Sequence, residues 1–223
     1  MIMVIKKCLK AIVNIQEASK LLVLLLMADL AFICIHCLFI SGILSGPSYS
    51  ISADFGFAEI YQYIKEFWII VLLLFVFIKE KHLTYLLWSL LFLYLLIDDS
   101  FRIHEEYGLY LSNYFEFKPI LNLRARDFGE IIVSLFSGFI LLISIGVSLL
   151  FSDNLAKQIS KNLFFLLIIL AFFGIFVDII HVVTPSFKSI LGLIEDGGEM
   201  IVISIIVWYT YKAETNQGNF PSC

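Results

Sequence analysis

The chain has 223 residues, 61% of them hydrophobic and only 15% charged, with a mean hydropathy of +0.96 and a net charge of −4. Soluble domains carry about 25% charged residues, so an ordinary soluble domain is excluded and the useful unit becomes the membrane span of about 20 residues. Four cysteines, at 8, 34, 37 and 223, are too few and too scattered for a disulfide framework.

In chain order, residues 1–20 come first. Met1, Val4, Ile5, Cys8, Leu9 and Ile12 recur at helical spacing opposite Lys6, Lys7, Lys10 and Asn14. That pattern predicts an amphipathic helix lying on the membrane surface rather than a cleavable leader. Its basic stretch KKCLK (6–10) suits anionic lipid headgroups, and nothing else in the chain invites nucleic acid.

Apolar runs follow at about 21–44, 60–79, 83–104, 128–151, 162–183 and 190–211. Each has the length of a span. KEKH (79–82) and SDNLAKQISKN (152–162) read as polar turns between them, and the one long connection is an external loop at about 105–127. The expectation is an all-α polytopic membrane helix bundle. It has about six transmembrane helices in one domain over 21–212, preceded by the interfacial helix and followed by a short tail, 213–223.

Charge fixes a direction. Lys6, Lys7, Lys10, Lys20, Lys79, Lys81, Lys157, Lys161 and Lys212 fall on one side; Lys65, Arg102, Lys118, Arg124, Arg126 and Lys188 fall on the other, beside most of the acids. The positive-inside rule places the first side, with both termini, in the cytoplasm. A bacterial inner membrane is the expected location.

Within the first run lie Asp29 and, two turns on, His36, which would extend a polar track through the bundle or pair with a neighbour. Cys34 and Cys37 form a C-x-x-C, but no second pair is placed to exchange electrons with it. Tyr61, Tyr63, Phe67 and Trp68 at one end, and Trp208, Tyr209 and Tyr211 at the other, read as interface anchors.

Ionisable residues gather at the external ends of four runs: IDDSFRIHEEYG (97–108), RARDFGE (124–130), VDIIH (177–181) and LIEDGGEMIVIS (193–204). On a continuous helix Asp98, Arg102 and Glu105 would form one stripe, and Arg126 would meet Glu130, with Asp127 beside them: an ion-pair network. Asp178 with His181, and Glu195 with Glu199, share faces without a resident cation.

A carboxylate with His three residues on is half of a carboxylate–histidine metal site in a helix bundle. His104, Glu130, Glu195 and Glu199 could complete it around a divalent metal, the one cofactor the pattern invites. HExxH, HxxxH and a nucleophile-elbow serine are absent.

Without a catalytic signature, the preferred expectation is a sensor or anchor subunit, coupling the external charged cluster to a cytoplasmic partner. Leu, Ile and Phe bias suggests an AT-rich gene and an accessory role such as antiviral defence. The runner-up is a metal-dependent intramembrane hydrolase using the Asp/His/Glu cluster, followed by a cation channel or carrier. Expected partners are membrane lipids and a second copy of the chain or a cytoplasmic protein.

Overall fold

A computed structural model describes residues 2–119, 123–184 and 187–216, with side chains from residue 17 onward. Every regular element among them is helical: α1 Ile2–Ile40, α2 Phe57–Glu80, α3 Leu83–Phe101, α4 Ile103–Tyr114, α5 Ala125–Leu150, α6 Asn154–Ala171, α7 Asp178–Val183 and α8 Lys188–Asn216. A π-helical turn, Phe172–Val177, joins α6 to α7 as one rod.

Five stretches are long and apolar enough to cross a membrane: residues 17–40, α2, α3, α5 and the α6–α7 rod. They mark the chain as an integral membrane protein. Between them they leave Leu24, Phe75, Phe136 and Phe165 exposed on the outside. A water-soluble surface does not tolerate apolar area on that scale.

α8 is as long as the others but carries Glu195, Asp196 and Glu199, so it fails the same test of composition. Its position explains the difference. It packs against α1, α2, α6 and α7, and Met200, Val202, Ile203, Ile206 and Val207 are buried in protein. A helix surrounded by other helices meets partners for polar groups that lipid would not supply.

Several boundaries differ from the expected ones. α1 runs unbroken from residue 2 to 40, so no bend separates an interfacial helix from the first span; the side chains of residues 1–16 lie outside those described, as does the tail beyond 216. The turn expected at 152–162 is helical from Asn154. Asp153 caps it by accepting from the Ala156 N–H at 2.8 Å, and its lysines occupy an exposed face while Ala156, Ile159 and Ser160 are buried. The first part of the external loop expected at 105–127 is the helix α4. It lies along α5 at very close range, because a Cβ on Gly129 would overlap the Gly108 carbonyl.

The bundle is divided across its thickness. The half nearer the α2–α3 turn holds an apolar core of Leu25, Ile69, Leu73, Val76, Trp88, Phe92, Leu163 and Ile206. Of the polar groups there, Trp88 donates to Ser160 Oγ at 3.0 Å and Thr84 bonds Ser148 at 2.9 Å and Ser152 at 2.6 Å, while the buried Tyr85 hydroxyl has no partner. Between the halves, Lys65 Nζ sits 3.0 Å from Asp29 Oδ1 and also donates to the Met200 carbonyl (2.6 Å) and Ser204 Oγ (3.0 Å). Lys65 is 0% exposed, with its ammonium 4.6 Å from the Tyr61 ring centre. This corrects its assignment to the external charges and identifies the partner of Asp29. With Lys65 removed, five positives instead of six stand on its side against the nine on the other.

Candidate acidic cavity at the external end

The other half opens into a cavity of about 700 Å³ whose walls come from α3, α5, the α6–α7 rod and α8. The loop between α1 and α2 closes one side. Ile51 N–H donates to His36 Nδ1 at 3.1 Å, Ser52 bonds Asp196, and Asp54 pairs with Arg102. His36 therefore anchors this loop and does not join Asp29 in a track; each has its own partner.

Asp178 comes to the cavity from just below the π-helical turn. That turn carries Gly174, and a Cβ there would overlap Glu199 Oε1, so the glycine lets the α8 carboxylate lie directly on the rod's backbone. π-Helical turns often mark functional positions for this reason: they re-aim the side chains that follow. His181 Nδ1 lies 2.6 Å from Glu195 Oε2, and one ligand atom each of Asp178, His181 and Glu195 falls within 4.8 Å of the others. His181 Nε2 is buried without a hydrogen-bond partner. In the tautomer whose Nδ1–H donates to Glu195, Nε2 is left as an acceptor. That is the state a metal-binding imidazole takes, with a carboxylate on its other nitrogen.

The remaining candidates do not join this trio. His104 belongs to a second one, Asp98, Asp99 and His104, whose ligand atoms also lie within 4.8 Å of each other. Its Nδ1 is 3.2 Å from Asp98 Oδ2, and its backbone N–H donates to Asp98 Oδ1 at 2.8 Å. That contact with Asp98 holds the His104 imidazolium above its usual 6.5, against the opposing effect of burial. Glu130 is taken up by Arg126 at 2.9 Å, and Glu199 receives a hydrogen bond from Gln62 at 3.4 Å.

One expected stripe is absent. α3 ends at Arg102, whose backbone is left-handed at φ 52°, and the chain turns there before α4 begins. Asp98, Arg102 and Glu105 consequently leave the common face that a continuous helix would give them. Asp98 serves the start of α4, while Arg102 reaches Asp54 and approaches Glu105 at 3.7 Å. The rest of the network is present: Arg126 bridges Glu105 (3.3 Å) and Glu130, and Asp127 pairs with Arg124 at 2.8 Å in the cap of α5.

Sequence reasoning missed Ser52, Asp54, Gln62, Glu66 and Asp99 as lining residues. Glu66 matters most. It is 3% exposed, lines the cavity, and its Oε2 has no hydrogen-bond partner. A buried carboxylate without a donor calls for a proton, a cation or water. Its position beside Lys65 could have drawn attention to it, had the inward direction of that helix face been readable.

No curated protein and no solved structure matches the chain. Residues 54–215, which span the cavity helices from the Arg102 partner Asp54 to the end of α8, match the family described as "Domain of unknown function (DUF8692)", and the chain belongs to that family.

Proposed function

We propose that the chain is a metal-dependent membrane hydrolase that cleaves an ester-type bond in an amphiphile. It would span the membrane six times, with α8 as the sixth span and both termini in the cytoplasm. One observation carries the reading: ligand atoms of Asp178, His181 and Glu195 lie within 4.8 Å of one another in the wall of a large cavity. Nitrogen and carboxylate donors of this kind suit zinc or manganese. The unpartnered carboxylate of Glu66 is a second, independent sign that the cavity takes a cation.

Bound there, such an ion lowers the pKa of a coordinated water from 15.7 to about 7. Asp178, His181 and Glu195 would hold the ion, and the water it activates would serve to cleave an ester or phosphoester bond. Arg124 and Arg126, at the cavity rim, are placed to attract an anionic headgroup.

The test uses protein in lipid nanodiscs, stripped with chelator and reloaded with zinc or manganese. Released fatty acids or headgroups would support the reading, with activity lost in Asp178→Asn and His181→Ala. Absence of products with either ion would overturn it. The sensor or anchor subunit would then be favoured. Its own support is the ion-pair lattice of Asp54–Arg102 and Glu105–Arg126–Glu130, which ties three external segments together.

A further inference from the structure

α5 and α6 follow one another in the chain, yet they part after the turn at 151–153. α5 packs on α3 and α4, and α6 on α8, and the two barely touch each other. The cavity occupies the space between them. On the three walls formed by α3, α5 and α6, every lining residue below Tyr94 and Ser134 is apolar or glycine. Leu91, Leu135, Leu142, Leu167 and Leu170 form the floor.

We infer that this gap is a lateral port, and that the cavity holds one acyl chain of a lipid from the outer leaflet with its headgroup at the acidic end. The inference rests on the hydrolase reading for its chemistry alone; the fit stands on dimensions. From Glu130 to Leu142 along α5 is twelve residues, about 18 Å at 1.5 Å per residue, and from Asp178 to Leu167 along α6 about 16 Å. One leaflet of a hydrocarbon core about 30 Å thick is about 15 Å deep. The volume of about 700 Å³ falls within the range of pockets that enclose a small ligand.

On the α3, α5 and α6 walls the polarity profile repeats that of a lipid, charge at one end and then hydrocarbon, while Glu66 on the facing α2 wall keeps a carboxyl at mid-depth. A peptide segment fits less well, because its backbone amides would meet no donor or acceptor along these lower walls. Around the port the outward side chains are large and apolar, with Ile132, Phe136, Phe139, Ile168, Phe172 and Phe176 exposed. The port thus opens to lipid and not to water.

Gly138 supplies the means of testing this. It lines the cavity, and a Cβ there would meet nothing within 4 Å, so a large side chain can fill the space without a clash at its root. The probe is a phosphatidylcholine carrying a nitroxide near the end of one acyl chain, in nanodiscs, read by electron paramagnetic resonance. Wild type should show a strongly immobilised component. Gly138→Trp should lose it, while Phe136→Trp, on the outward face, should keep it. Should Gly138→Trp fail to fold, Leu142→Trp, one turn deeper on the same wall, takes its place.

An immobilised component that persists in the filled variant, or is absent from wild type, overturns the port. If that component behaves as expected while neither metal yields hydrolysis products, the hydrolase reading falls and the port stands.

Discussion

Lys65 carries an ammonium to a depth where protein is its only surroundings, and three oxygens, from Asp29, Met200 and Ser204, receive it. Removing one member of such a pair strands the other charge, at a cost of about 3–5 kcal/mol. Lys65→Met should therefore destabilise the fold by that amount in denaturant unfolding, and Asp29→Asn with Lys65→Met should recover most of the loss. A second prediction concerns His104, which α4 places outside the spans. Its folded pKa is raised above 6.5 by Asp98. The stability this contact adds is complete below the unfolded value of about 6.5 and is lost as pH rises through the folded one. Wild type should thus lose its advantage over Asp98→Asn across that window, and carbon-13 NMR of His104 should show a lower pKa in the variant. Asp178 and His181 were legible from spacing alone, since both lie on one short helical stretch. Lys65, Glu66 and Ser52 were not, because their partners come from helices far away in the chain.

The helices show where reading by period fails. The stripe through Asp98, Arg102 and Glu105 assumed a continuous helix, and a single left-handed residue removes it. Gly197 and Gly198 stand side by side in α8. α8 continues through both glycines, and a Cβ on Gly198 would overlap the Phe173 ring of the π-helical turn. Gly198 is a packing site that fixes the distance between α8 and the rod carrying Asp178. Contact between α4 and α5 is tighter still, since backbone meets backbone at Gly108 and Gly129. Gly129→Ala should cost roughly 1–3 kcal/mol, the range for overpacking, and should loosen the external end first. Hydrogen exchange of the α4 amides would register this as faster exchange than in wild type.

At the scale of the whole molecule, hydropathy made the class and the approximate spans readable, because lipid imposes a composition on whatever faces it. It could not rank the helices by position. α8 carries the most acid and sits innermost, whereas α5 and the α6–α7 rod, among the most apolar, face outward and border the cavity. Composition reports exposure to lipid, not which helices pack together, so the parting of α5 from α6 had no signature. An even number of spans places both ends of the chain on one side. Alkaline phosphatase fused after residue 216 should be inactive and green fluorescent protein at the same point bright; the reverse would mean that α8 does not cross.

The hydrolase reading depends on an ion at His181. The decisive measurement is the metal content of the purified protein by inductively coupled plasma mass spectrometry, with His181→Ala and Asp178→Asn prepared alongside. A divalent transition metal bound stoichiometrically by wild type and lost from both variants, which remain folded, is the predicted result. A wild-type protein that stays free of such metal after incubation with zinc and manganese would contradict it.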